Sequence, residues 1–87
     1  AGTTAWSEAR VAQAVREGRP VFVYFTADWC LSCKVNETSS IGRDSVREAF
    51  ERANVKVLVA DWTNGDPAIT RFLDGRGRAA IPLYLWY

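Results

Sequence analysis

The stretch FTADWCLSCKVNE, Phe25–Glu37, carries both cysteines of the chain, three positions apart, directly after the apolar run VFVYF at Val21–Phe25. Two cysteines at this spacing can serve as a structural staple, as part of a metal site, or as a reversible redox pair. A structural zinc site takes four nitrogen or sulfur ligands, and the chain offers two cysteines and no histidine. A disulfide stabilises most when it closes a long loop, and this one closes a minimal ring. Exchange chemistry suits the spacing best. Where a helix opens at such a pair after a buried strand, its free N–H groups stabilise a thiolate on Cys30. Cys33 then lies one turn on, placed to attack a mixed disulfide.

Around this segment the chain alternates helical and extended patterns. Over Ser7–Glu17, Val11, Ala12, Ala14 and Val15 form an apolar arc opposite Arg10, Gln13, Arg16 and Glu17, and Gly18-Arg19-Pro20 stops it. Val21–Phe25 is apolar at every position, as in a central strand covered on both faces. A polar helix is expected from the cysteines into Ser39–Ser40, broken at Gly42. Ser45 and Glu48 have capping-box spacing ahead of Val46, Ala49 and Phe50, which predicts another short helix.

VKVLVAD, Val55–Asp61, reads as a second buried strand. Asp66 as N-cap with Pro67 at the first helical position opens a helix whose Ile69, Phe72 and Leu73 share a face. GRGR, Gly75–Arg78, reads as a turn. IPLYLWY supplies a strand from Leu83 onward, with Pro82 at its start or on an edge. The order helix, strand, helix, helix, strand, helix, strand predicts an α/β fold, with parallel neighbours in the sheet and helices on both faces, in one domain over residues 1–87.

Composition excludes several classes. The 87 residues, 48% apolar, suit one domain near the lower limit for a self-sufficient core. A net charge of +1 from 11 basic and 10 acidic residues gives no footprint for a nucleic-acid backbone. The longest apolar runs fall far short of the roughly 20 residues of a membrane-spanning helix. The chain has no methionine and begins at Ala1, so it is expected to be cut from a longer polypeptide.

FTADWCLSCK resembles the active-site segment of thioredoxins. With VNE after it, VLVADWTNGDPAITRFL and IPLYLWY, the chain is more similar to the C-terminal thioredoxin-like domain of DsbD-type thiol:disulfide interchange proteins, including copper-sensitivity suppressor relatives. The likeness runs from Pro20 to Tyr87. It implies a thioredoxin-like fold, a central mixed sheet flanked by helices, with Cys30 as the exposed nucleophile and Cys33 as the resolving thiol. It also implies a cis bond at Ile81-Pro82 beside the disulfide, where the backbone meets an extended substrate peptide. The activity implied is that of a thiol-disulfide reductase on the periplasmic side of the bacterial inner membrane. Electrons would come from a membrane-embedded carrier fused to the domain and go to partner disulfides. No flavin, nicotinamide or metal cofactor is implied beyond the Cys30–Cys33 pair.

The departures carry their own expectations. The carboxylate that many thioredoxins bury six residues before the first cysteine is Tyr24 here. Glu37, four residues after Cys33 on the same helix face, becomes the candidate acid for the pair. Its alternative role is a solvated partner of Lys34. Trp29 flanks the site as a contact surface or belongs to the core. Leu31 and Ser32 set the dipeptide that tunes potential, and without a histidine there a reductant is favoured over a strong oxidant. Asp28 is expected to cap the active-site helix. Lys34 is expected at the solvated surface, and Asn36-Glu37-Thr38 is read as a chance sequon. Trp62 and Thr63 have the site's rim, the core or a turn as open alternatives.

The family pattern continues past the cis-proline strand with one more strand and a helix, so the 87-residue chain is expected to expose apolar surface and to self-associate. A rival function keeps the fold but not the catalysis: a binding module, or a chaperone holding Cu(I) between two thiolates.

Overall fold

A computed structural model describes residues 3–77 and 80–87. Four strands form one sheet in the order β1-β3-β2-β4, where β1 is Thr4–Ala5, β2 Val21–Thr26, β3 Lys56–Asp61 and β4 Leu83–Trp86. The helices are α1 (Glu8–Arg16), α2 (Leu31–Asn36), α3 (Asp44–Arg52) and α4 (Pro67–Gly75). β3 pairs in parallel with both β1 and β2, and β4 runs antiparallel to β2. The mixed thioredoxin-like sheet expected from the resemblance is therefore present. β2 is central, which accounts for its unbroken apolar run.

Alternation along β2 divides the chain into two layers. Val21, Val23 and Phe25 point to one face, where Ala14 of α1, Leu58 and Ala60 of β3, Ile69 and Leu73 of α4, and Leu83 complete the buried core. Phe25 has no exposed surface and contacts Trp6 and Phe72, with ring centroids 5.5 and 5.4 Å away. Phe22, Tyr24 and Thr26 point to the other face, under the arm formed by α2 and α3. That face is less completely filled. Phe22 packs on Phe50 and Trp86, while a cavity of about 720 Å³ lies beside Tyr24, Glu37, Phe50 and Val57.

Helix ends follow the local chemistry in most places. Ser7 caps α1 through its hydroxyl, and Gly18, at φ 74°, ends the helix where the Arg19 N–H reaches the Ala14 carbonyl. Asp66 caps α4 by accepting from the Ala68 and Ile69 N–H groups, with Pro67 at the first position. Two expectations are corrected. The Ser45–Glu48 capping box does not form: α3 begins at Asp44 behind Arg43, which makes no side-chain cap. Ala12 and Val15 of the supposed α1 arc are exposed, because only Ala14 and part of Val11 face the sheet.

The polar helix after the cysteines is not uniform. Past Asn36 it widens into a π-helical segment, Glu37–Ile41, closed by Gly42. The Gly42 N–H meets the Glu37 carbonyl at 2.6 Å, and a Cβ on Gly42 would stand 2.6 Å from the same oxygen. A backbone oxygen cannot swing aside as a side chain does. Gly42→Ala is expected to destabilise the domain by about 1–3 kcal/mol, read from the urea midpoint, by forcing this turn apart.

β1 was not expected, because two residues are too few to carry an alternating pattern. The turn expected at Gly75–Arg78 includes Arg78, which lies outside the described residues. Tyr84 and Trp86 on β4, and Tyr87 just after it, leave aromatic surface exposed.

Candidate active site: the Cys30–Cys33 pair

β2 ends at Thr26, and Ala27, Asp28 and Trp29 carry the chain to α2. The cysteines flank the start of that helix and are joined as a disulfide, with Cα atoms 5.3 Å apart. Cys30 is itself the N-cap: its Sγ accepts from the Cys33 N–H at 3.2 Å. The expected cap, Asp28, is instead exposed, with its carboxylate 3.9 Å from Lys34. The reason is geometric, since α2 starts at Leu31 and the cap position falls on Cys30. Both sulfurs are sheltered, Cys33 (1% exposed) more than Cys30 (8%). Cys33 Sγ lies 3.9 Å from the Phe25 carbonyl oxygen, an acceptor for the thiol proton once the disulfide is opened.

The surroundings fall into three parts. Ala27, Cys30 and Cys33 form a small cluster against which Ile81 packs, and the Ile81-Pro82 peptide is cis. Two elements far apart in sequence thus meet at the pair. The open rim is apolar: Trp29 is 61% and Leu31 78% exposed, and Val35, one turn after Leu31, is 54% exposed. Ser32 is exposed beside them.

The third part lies behind the pair. Glu37 Oε2 accepts from the Thr26 hydroxyl at 2.5 Å, and its other oxygen lies 3.5 Å from Lys34 Nζ. Glu37 is thus turned partly inward while still meeting Lys34. Tyr24 stands nearby, half-buried, and its phenol is pushed above the usual tyrosine range by burial and by the charge of Glu37. The Asn36 side chain donates to the Tyr84 hydroxyl at 2.9 Å.

The thioredoxin-like family model matches residues 3–87. The chain belongs to the thioredoxin-like family. Among curated relatives, the thiol:disulfide interchange protein DsbD of Pseudomonas sp. is 39% identical over 75 residues, covering 85% of this chain and 12% of the relative. DsbD 1 of Pseudomonas aeruginosa is 32% identical over 85 residues, covering 98% and 14%. This thioredoxin-like chain therefore spans only about an eighth of the length of the curated relatives it matches. Among solved structures, the oxidised C-terminal domain of DsbD from Neisseria meningitidis superposes with a TM-score of 0.72 at 27% identity, over 98% of this chain and 76% of that one. With the bonded cysteine pair, these likenesses support disulfide oxidoreductase activity.

In this thioredoxin-like site two residues went unassigned from sequence. Thr26 was given no role, the strand being read as ending at Phe25, and it is the one polar residue buried among the described residues. Thr63 was left between rim, core and turn, whereas its hydroxyl and backbone bond to Asp61, Asp28 and Trp29. Trp62 packs against the core and donates to the Thr70 hydroxyl at 2.8 Å.

The Asp61 carboxyl is held below the usual aspartate range, chiefly by the Thr63 hydroxyl and then by the Thr63 N–H. A lowered folded-state value means the bonds contribute stability above the ordinary value of 3.8, and that contribution is lost as pH falls through the lowered one. An NMR titration of the Asp61 carboxyl carbon is expected to place its midpoint under 3.8, and Thr63→Val to move it up.

Proposed function

We propose that this domain is a thiol-disulfide reductase whose Cys30–Cys33 dithiol passes electrons to the disulfides of partner proteins. The observation that carries the reading is the asymmetry of the pair. Cys30 Sγ receives the N–H of the first helical turn, which favours its thiolate, while Cys33 is buried beside the Phe25 carbonyl, which favours its protonated thiol.

The reaction balances over two exchanges. The Cys30 thiolate attacks one sulfur of the partner disulfide, and the other partner sulfur leaves as a thiolate and takes a proton. Cys33 then gives up its proton, attacks Cys30 Sγ, and releases the second partner sulfur. Two electrons have moved to the partner, whose two new thiols take one proton from solvent and one from Cys33, and Cys30–Cys33 is left oxidised.

Glu37, fixed by Thr26 behind the pair, is the group proposed to receive and return the Cys33 proton. Trp29, Leu31 and Ser32, with Ile81 and cis-Pro82, form the surface proposed to meet an extended partner segment. The chemistry needs no flavin, nicotinamide or metal in the domain, so exhaustive chelation is expected to leave turnover unchanged.

The setting is proposed from the DsbD relatives: one domain of a larger membrane protein, on the periplasmic side, re-reduced by a membrane-embedded carrier. Among the described residues no helix is long and apolar enough to cross a membrane, so that carrier would lie elsewhere in the larger protein. The chain's coverage of only 12% and 14% of two such relatives supports a part of something longer.

The test is thiol titration by iodoacetamide alkylation, paired with reduction of insulin disulfides in the presence of dithiothreitol. One thiol, Cys30, is expected to ionise well below the value of about 8.5 for free cysteine, with turnover above the dithiothreitol background. If both thiols ionise like free cysteine and insulin is not reduced, the proposal fails. Stoichiometric Cu(I) binding in that case would support the chaperone.

A further inference from the structure

We propose that Thr63, oriented by Asp61, is a positioning residue that holds Trp29 as a fixed wall of the partner-docking surface. The inference rests on the exchange reading above and adds to it a residue from the loop after β3, on the far side of the site from the cis-proline.

The two loops are tied by a directional chain of hydrogen bonds. Asp61 Oδ1 accepts from the Thr63 N–H at 3.0 Å and from the Thr63 hydroxyl at 2.5 Å. With its one proton committed to the carboxylate, the hydroxyl has only lone pairs left to offer. It accepts from the Asp28 N–H at 2.9 Å. The Thr63 carbonyl in turn accepts from the Trp29 indole Nε1 at 3.1 Å, and the Trp29 and Trp62 rings lie 6.0 Å apart. Trp62 is anchored independently through the Thr70 hydroxyl. Trp29 is thus held at its indole N–H and at its ring, and its chain is tied one residue earlier at the Asp28 N–H, although it is 61% exposed.

That combination separates docking from chemistry. A large aromatic ring already fixed at the surface loses little rotamer freedom when a partner lies on it, whereas a mobile one must be ordered at that moment. None of the bonds from Asp61 or Thr63 reaches a sulfur, so their loss acts on recognition of a large substrate rather than on the thiolate.

Thr63→Val keeps the branched shape and removes the hydroxyl, and Thr63→Ser keeps the hydroxyl. For insulin, Thr63→Val is expected to raise KM about fivefold with kcat within about twofold, and Thr63→Ser to restore KM. The second readout needs no turnover. The Trp29 indole N–H, assigned by its absence in Trp29→Phe, is expected to exchange with solvent about fivefold faster in Thr63→Val and faster than in the parent in Asp61→Ala. Unchanged indole exchange overturns the clamp, as does an unchanged KM or a fall in kcat alone in a protein that reduces insulin. If the parent reduces no insulin, the exchange reading fails, and indole exchange alone decides whether Thr63 holds Trp29.

Discussion

Cys30→Ser is expected to lose insulin reduction by a factor on the order of 10³ or more, down to the dithiothreitol background, because a serine hydroxyl at neutral pH is not a nucleophile toward disulfides. Cys33→Ser is expected to behave differently. Its Cys30 still opens the partner disulfide, but the resolving sulfur is gone, so one partner chain stays bonded to each molecule. Intact-mass measurement under non-reducing conditions reads this directly. The asymmetry follows from burial: Cys30 is the more open sulfur, and Cys33, at 1% exposure, has no access to a protein substrate of its own. Equal loss in both variants with no adduct in either would contradict the assignment. So would an adduct on Cys33 in Cys30→Ser.

Phe25→Ala is expected to lower stability by about 3–5 kcal/mol, through lost burial and the void left between Trp6 and Phe72. A domain of this size holds roughly 5–10 kcal/mol in all, so the variant falls near the edge of folding. Urea unfolding followed by circular dichroism measures the shift, and an unchanged slope shows that the folded state is otherwise intact. Phe25→Leu, which retains most of the apolar volume, is expected to lose less than half as much. The residue couples core to chemistry: its side chain packs into the main core, while its carbonyl lies beside Cys33 Sγ. A loss under about 1 kcal/mol in Phe25→Ala would mean that this core relaxes around the void, contrary to close packing.

Much of the fold was legible because the local signals agreed. The apolar run of β2, the Asp66 cap, Pro67 and the stop at Gly18 each act within a few residues. Where the signal was ambiguous the tertiary environment decided. Ser45 and Glu48 have capping spacing but lie inside α3, because the π-helical widening at Glu37–Ile41 and the close contact at Gly42 set where that helix begins. Asp28 looked like a cap by composition, but the helix start made Cys30 the cap.

The sequence by itself determined the alternation of elements, the central place of β2 and the redox pair at the end of that strand, since hydrophobic period and C-x-x-C spacing are local properties. Tertiary structure alone decided which residues serve that pair. Thr26 against Glu37, Ile81 against the cysteines, and Thr63 against Asp28 and Trp29 are separated in sequence by 11 to about 50 positions. They meet only because β3 pairs beside β2 and β4 returns on its other side, which brings the loops after β2 and β3 and the turn before β4 to one end of the sheet.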